Sequence, residues 1–409
     1  MRLPKRWAFV RCDIRRLNPG VALVASTLLI VATGICRGEL PDAGPARVGI
    51  DGEALAAIRP MVLDAIDQGE MAGCVIMAGR RGNVFYQQAF GHRQVQPVKK
   101  AMTVGTVFDL ASLTKPIATA TSVMVLWDQN KVDLDDPIVR FRPATVDPQL
   151  RDATVRQLMT HQAGYLPDNA LADYQQGPGQ ALANIDRLNA RYSPGTRFVY
   201  SDVGFILLGD IVGGQSGMDL HAFSQRYVFQ PLGMNHTGYL PPTDLAAQSA
   251  ATEKRNGRWM VGEVHDPRAF AMGGVAGHAG LFSTAADLAI YAQMMLNDGV
   301  YQDVRILSAD AVDQMTRPHE IVEGDKVSVR GLGWDIHSGY SSNRGPGMSD
   351  TAFGHGGFTG TVLWIDPAKD LFFIFLSNRM HPDGKGSVNR LAGKIAGVIV
   401  DAIDVPAVR

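Results

Sequence analysis

Cysteine is almost absent from this chain. Three occur in 409 residues. Cys12 and Cys36 lie in an N-terminal segment unlike the rest, which leaves Cys74 alone. One thiol cannot staple a fold, so a disulfide scaffold is excluded and stability has to come from a core. Within Gly73-Cys74-Val75-Ile76-Met77-Ala78 that cysteine reads as a small buried apolar residue. An excess of either charge is also missing. The net charge is −1 and charged residues make up 19%, so nothing points to nucleic acid or an anionic membrane surface as partner. None of the ten histidines stands with another as His-x-His or His-x-x-x-His. That speaks against a zinc hydrolase, and neither metal nor cofactor is expected. Gly273-Gly274-Val275-Ala276-Gly277 lacks the Lys-Ser/Thr of a phosphate loop, and Gly214-Gln215-Ser216-Gly217 continues with Met218 where a nucleophile elbow needs glycine. Internal repeats and low-complexity tracts are lacking as well.

What is present begins with a basic leader. Arg2, Lys5, Arg6, Arg11, Arg15 and Arg16 precede an apolar run from Val21 to Ile35, followed by small residues up to Gly38. This is the pattern of a signal peptide over residues 1–38, with cleavage after Cys36 or Gly38; retained, the apolar run would be a membrane tether. Its removal takes away seven Lys/Arg and one Asp and moves the net charge from −1 to −7. The expectation is an exported, mildly acidic protein, periplasmic or extracellular. Residues 39–47, rich in Pro, Gly and Ala, read as a linker to a domain over 48–409. With 46% hydrophobic residues, that domain has material for a sizeable core.

Periodicity predicts a helix over Ala54–Gln68 and strands over Cys74–Gly79 and Asn83–Phe90, with a hairpin turn at Arg80-Arg81-Gly82. Between about 145 and 325 helical patterns prevail: Val155–Thr160 capped by Thr154 and closed by Gly164, then about Ser201–Gly213 and Ala285–Leu296. Strand patterns return at Thr359–Ile365 and Leu371–Leu376, and an amphipathic helix spans about Val388–Ala402. Strands at both chain ends with helices between them predict an α+β fold, with one antiparallel sheet built from both ends and packed by terminal helices. The sheet part is expected over about 48–105 and 326–409, and an inserted all-α part over about 106–325.

The chemistry centres on Phe108-Asp109-Leu110-Ala111-Ser112-Leu113-Thr114-Lys115-Pro116. Ile117, Ala118, Ala120 and Val123–Leu126 follow with few polar positions, so the helix that Ser112 opens is buried nearly all round. Three residues separate Ser112 from Lys115, which places the amine beside the hydroxyl on one face. A hydroxyl becomes a nucleophile when a neighbour takes its proton, and a desolvated lysine does that or assists. Pro116 disfavours helical geometry at Lys115, so the first turn is expected to be distorted. Against this stands the plain reading of a helix cap beside a solvated charge.

Two further constellations weigh in. Tyr200, in Phe198-Val199-Tyr200-Ser201-Asp202, precedes a buried helix and is either an aromatic plug or a proton shuttle. His355, in Phe353-Gly354-His355-Gly356-Gly357-Phe358-Thr359-Gly360-Thr361, opens a glycine-rich strand along which another group can approach the backbone. Its imidazole is expected to face the cleft and supply a donor to substrate. His161 and His278 read as structural.

Ser112-x-x-Lys115, Tyr200-Ser201-Asp202 and His355-Gly356-Gly357, in that order, resemble the three motifs of the serine β-lactamase and penicillin-binding-protein superfamily. The class C-like branch, with its D-alanyl-D-alanine carboxypeptidases and esterases, is the nearest in pattern. Leu158–Gly164, Pro231–Met234, Gly277–Thr284 and Gly331–Trp334 resemble that branch too. The resemblance covers nearly all of the chain after the leader. It implies a β-lactamase/transpeptidase-like fold with the active site between sheet and helices. It implies Ser112 as acylated nucleophile, Lys115 as activator and Tyr200 as proton carrier. Asp202, His355 and Gly357 would line the substrate site, and the N–H groups of Ser112 and Phe358 would form the oxyanion hole. The substrate would be a small molecule or a peptidoglycan-derived peptide. Two departures stand out: Asp202 replaces the usual asparagine or serine, and His355-Gly356-Gly357 replaces Lys-Thr-Gly, losing groups that hold a β-lactam carboxylate. A carboxypeptidase or esterase is therefore expected ahead of a β-lactamase, with a penicillin-binding sensor that never turns over as the alternative of another class.

Overall fold

Along Leu371–Ser377 every residue is buried, and successive side chains enter different cores: Phe372, Ile374 and Leu376 one, Leu371, Phe373 and Phe375 the other. That is the period of a strand covered on both faces. Val75 and Met77 against Cys74, Ile76 and Ala78 repeat it, as do Leu363 and Ile365 against Val362 and Trp364. These runs form the centre of a nine-stranded sheet in a computed structural model that describes residues 38–403. All but the last residue of the expected leader lies outside the described residues.

The strands are β1 (Gly73–Arg80), β2 (Asn83–Gln94), β3 (Lys100–Ala101), β4 (His319–Glu323), β5 (Lys326–Arg330), β6 (Asp335–His337), β7 (Phe353–Gly357), β8 (Thr361–Asp366) and β9 (Leu371–Ser377). Their spatial order is β4-β5-β6-β7-β8-β9-β1-β2-β3, antiparallel throughout. The two chain ends meet where β9 pairs with β1, Cys74 opposite Ser377. At the β1–β2 turn Arg81 and Gly82 both take positive φ, 52° and 72°, the geometry that matches hairpin twist.

Helices α1 (Ile58–Asp67) and α5 (Asn389–Asp401) cover one face of the sheet. In α5 the residues Ala392, Ile395, Ala396, Ile399 and Val400 are buried, an apolar stripe at helical spacing. Ile395 and Ile399 each contribute roughly 1.5–3 kcal/mol by leaving water. The other face carries α4 (Ala285–Leu296) and, beyond it, α2 (Thr121–Asp128) and α3 (Asp202–Ser216). Among the described residues no helix is long and apolar enough to cross a membrane.

The structure departs from expectation in four places. Within residues 39–47 the segment Pro41–Ala43 pairs with β2, Ala43 N–H donating to Val84 O at 2.8 Å and Val84 N–H to Pro41 O at 2.9 Å, and a 3₁₀ turn over Pro45–Val48 follows. The edge strand β4 falls inside the stretch expected to be helical; its polar, half-exposed residues give no apolar alternation. The inserted part is also not all helix, since Phe108–Asp109, Leu281–Ser283 and Gly238–Tyr239 form a small three-stranded sheet. The Val155–Met159 helix has its expected Thr154 cap, in a reciprocal box with Gln157. It ends before Gly164, with His161 taking φ 60°.

Candidate active site

Ser112 lies on a turn bound from three directions. The small sheet fixes one side, with Leu110 N–H donating to Leu281 O at 2.9 Å. From the large sheet, Thr359 Oγ1 donates to Asp109 O at 2.7 Å and Thr361 Oγ1 to Leu110 O at 3.0 Å. Within the turn, the buried Asp109 carboxylate accepts Ala111 N–H at 2.9 Å and His265 N–H at 2.6 Å. Ala111, directly before Ser112, takes φ 45°. A left-handed alanine is held only where the surroundings overdetermine it, and such strain gathers at functional sites.

The helix that Ser112 opens is distorted as Pro116 led one to expect. It starts as a 3₁₀ turn over Ala111–Leu113, widens to a π-helical stretch over Lys115–Ala120, and becomes regular only at α2. Pro116 donates no N–H, and its carbonyl is taken by Thr121 Oγ1 at 2.9 Å. Lys115 is fully buried. Its Nζ stands 3.2 Å from Ser112 Oγ, 3.0 Å from His278 O and 2.6 Å from Asp202 Oδ1. Burial alone would drive the lysine toward neutrality, but Asp202 and Tyr200 together outweigh it and raise its pKa. The resting lysine is an ammonium. The plain reading of Lys115 as a solvated charge is excluded.

Tyr200 comes from the loop before α3, whose N-cap is Ser201. Lys115 Nζ lies 4.9 Å from the centre of its ring. Its hydroxyl is buried, with Lys115 and Ser112 as its hydrogen-bonding neighbours. Burial raises its pKa, Lys115 opposes the shift and Asp202 adds to it, so the phenol is neutral at rest. Behind it His161 stacks at 4.4 Å between ring centres and accepts Ser201 N–H on Nδ1 at 3.1 Å. His161 thus has the structural place expected of it, as a backing plate for the tyrosine. His278 lends its carbonyl to Lys115 and pairs its Nε2 with Asp266 at 2.9 Å.

The third motif occupies β7, beside the Ser112 turn. A Cβ on Gly357 would come within 2.3 Å of Leu110 O, so only glycine lets strand and turn close. Phe358 follows with its side chain 61% exposed. His355 requires a correction. Its Nδ1 lies 2.8 Å from Gly356 O, and a carbonyl only accepts, so the proton sits on Nδ1. Burial pushes the imidazole pKa well down, with Arg330 and Lys115 adding to the effect. Neutral His355 therefore offers a lone pair on Nε2, an acceptor and not the donor expected from the sequence. Among the described residues no other group bonds that nitrogen.

Ser112, Tyr200, His355, Gly357 and Phe358 line one cavity of about 410 Å³, together with Arg330, Tyr340 and Arg379. Ser112, Tyr200, Asp202 and Phe358 line a second of about 400 Å³ with Asp168, His265, Asp266 and His278. All seven candidate residues thus face these two cavities or, like Lys115, stand directly behind them. Among the described residues Asp202, Asp266 and His278 bring possible metal-ligating atoms within 4.8 Å of one another. The Lys115 ammonium already occupies Asp202, so a cation there would face a fixed positive charge. Sequence reasoning missed Arg330, Tyr340, Arg379 and the Asp109 brace. Arg379 was within reach: pairing of β8 with β9 sets Thr361 opposite Leu376, so residues just past β9 must emerge beside Phe358.

Comparison with known proteins agrees with this geometry. The model of the Beta-lactamase family matches residues 58–397. A protein of Escherichia coli K12 named "Putative D-alanyl-D-alanine carboxypeptidase" is 31% identical over 397 residues, covering 87% of this chain and 90% of that protein. Among solved structures, EstCE1, a hydrolase with promiscuous acyltransferase activity, superposes with TM-score 0.69 at 23% identity, over 85% of this chain and 99% of that one. A class C β-lactamase does so with TM-score 0.69 at 17% identity, over 87% and 97%. At such identities these structures speak for the fold alone. The family model and the Escherichia coli relative go further, and with them the Ser-x-x-Lys turn, the tyrosine loop and the glycine strand have their explanation: this chain is a serine hydrolase of the Beta-lactamase family.

Proposed function

We propose that the chain is an exported acyl-enzyme hydrolase of amides or esters, D-alanyl-D-alanine carboxypeptidase-like or an esterase, with Ser112 as its nucleophile. The observation that carries this reading is the fully buried Lys115 ammonium 3.2 Å from Ser112 Oγ and 2.6 Å from Asp202. In acylation Ser112 Oγ bonds to the substrate carbonyl carbon and loses its proton, and the bond to the leaving group breaks as that group takes up a proton. With Lys115 held as a cation, Tyr200 is the group to carry the proton, in its deprotonated form. Its hydroxyl neighbours both Ser112 and Lys115, and Lys115 favours the charged form of the phenol. The N–H groups of Ser112 and Phe358 would stabilise the oxyanion. Water then attacks the acyl-Ser112 ester by the reverse proton path. The basic leader and apolar run support export, which N-terminal sequencing of the periplasmic fraction would check.

Ser112→Ala should abolish turnover and covalent labelling while the melting temperature stays near that of the parent. Intact-mass measurement with a fluorophosphonate or a penicillin should find one adduct, mapped to Ser112. An adduct elsewhere, or turnover by the alanine variant, would refute the assignment. A single burst without further turnover on a p-nitrophenyl ester, a D-Ala-D-Ala peptide and a cephalosporin would identify a sensor instead.

A further inference from the structure

One residue before Ser112 the backbone takes a conformation that an L-residue resists. Ala111 has φ 45° and is 6% exposed. In that left-handed region its methyl group crowds its own backbone. An asparagine or aspartate there could offset the cost with a local hydrogen bond of its side chain, but an alanine has nothing to offer. The compensation has to come from its neighbours.

Those neighbours divide into two groups. Leu110 and Thr114 fix the chain on either side. Leu110 O accepts Thr361 Oγ1 at 3.0 Å and Leu113 N–H at 3.1 Å, while Leu281 N–H donates to Thr114 Oγ1 at 3.1 Å. The N–H of Ala111 itself goes to Asp109 Oδ1 at 2.9 Å, a bond that sets the peptide plane from which φ is measured. Asp109 is well placed to keep it. The residue is 4% exposed, its Oδ2 accepts His265 N–H at 2.6 Å, and its carbonyl accepts Thr359 Oγ1 at 2.7 Å. Each carboxylate oxygen thus serves one N–H, and a protonated carboxyl would turn an O–H against one of them. Swinging away would strand two N–H groups in a buried place, which makes the grip stiff.

The next peptide plane follows from Ala111, and it carries the Ser112 N–H and the start of the Ser112 side chain. Lys115 and Tyr200 decide where the proton goes. The angles at Ala111 decide where Ser112 Oγ and N–H point.

We infer that Asp109 is a positioning residue for the nucleophile, holding Ala111 left-handed so that Ser112 Oγ and N–H converge on one substrate carbonyl. The inference rests on the hydrolase reading and gives a buried carboxylate outside the proton path a task in it. Asp109 acts through Ala111 and touches no reacting atom.

Saturation kinetics of fluorophosphonate labelling, with the adduct located by peptide mass mapping, test it. Asp109→Ala should lower the limiting rate of labelling at least tenfold and leave the half-saturating concentration within about twofold, since reactive geometry is lost and the cavities remain. Asp109→Ser keeps a hydroxyl that can accept an N–H two residues on but does not extend to His265, so it should recover part of the rate. Glycine takes positive φ without strain, so Ala111→Gly added to Asp109→Ala should restore most of the rate. A brace that served stability alone would gain nothing from that glycine, which adds no contact. If Asp109→Ala does not fold, Asp109→Ser with and without Ala111→Gly is compared in the same way. Labelling of Asp109→Ala at the parent's rate, or a lost rate that Ala111→Gly leaves lost, refutes the positioning role, and the hydrolase reading stands while the parent labels at Ser112. If the parent does not label there, the hydrolase reading falls and this inference falls with it.

Discussion

Asp202 sets the resting charge of the site. Placed 2.6 Å from Lys115 Nζ, it stabilises the ammonium and raises the Tyr200 pKa as well. Removing its charge in Asp202→Asn should lower both. The base form would then be available at lower pH, and the rising limb of kcat/KM against pH should move down by about one unit or more. Asparagine still accepts from Lys115 but leaves the buried ammonium without a counter-charge, so the melting temperature should drop too. A pH profile unchanged by the substitution would remove Asp202 from the proton path. Tyr200→Phe tests the other partner. Loss of a positioned proton carrier should slow both acylation and deacylation on the order of 100- to 10,000-fold, resolved by stopped-flow burst kinetics. Near-normal kcat would leave Tyr200 a packing residue. At this scale the sequence was legible where residue type and spacing alone decide, as for Ser112, Lys115 and Tyr200. It misled at His355, because only the fold shows that Gly356 O fixes the tautomer.

Elements hold these groups at their distances. β7 meets the Ser112 turn through Gly357, where an added Cβ would strike Leu110 O at 2.3 Å and Thr361 Oγ1 at 2.2 Å. Gly357→Ala should therefore force strand and turn apart. The rate of fluorophosphonate labelling of Ser112 should fall at least tenfold, a loss that small displacements from reactive geometry produce. A labelling rate equal to that of the parent would mean that the contact does not position the nucleophile. Elements were legible where period and burial coincide. The continuous apolar runs of β1, β8 and β9 and the stripe of α5 stand out because both sheet faces are covered. The edge strand β4 was not, since one polar flank faces solvent and His319–Glu323 shows no alternation of apolar residues. The sequence pattern closes the Val155–Thr160 helix at Gly164, which does take φ 88°, yet His161 makes the first left-handed turn, held there by stacking on Tyr200 and by the Ser201 N–H. Tertiary contacts outweighed the local preference for glycine.

At the scale of the whole molecule, the buried histidines tie stability to pH. His161 and His355 are both buried, and burial lowers the pKa of each well below 6.5, with the Arg330 and Lys115 charges adding to it. His319 and His381 are displaced in the same direction. In the unfolded chain these imidazoles take up protons near their ordinary pKa, whereas the folded protein refuses them. The unfolded state therefore binds more protons below about pH 6.5, and stability must fall as the pH drops from there. Each fully excluded histidine contributes up to about 1.4 kcal/mol per pH unit in that window, and nothing above it. Among the carboxylates, Asp266, where burial is overcome by His278 and the group is held below the usual range, adds its loss only near pH 4 and below. Asp109, Asp168 and Asp287, raised chiefly by burial, work in the opposite sense. Denaturant unfolding followed at pH 7.5, 6.5, 5.5 and 5.0 should thus show a plateau above 6.5 and a steady decline beneath it. His161→Gln removes one titrating group while keeping a side chain able to accept Ser201 N–H. It should lower stability at pH 7.5 through lost stacking on Tyr200, yet make the decline below pH 6.5 shallower by up to about 1.4 kcal/mol per unit. A variant that declines as steeply as the parent would mean that His161 is protonated in the folded protein. The neutral aromatic stack behind Tyr200 would then have to be redrawn with a charge in it.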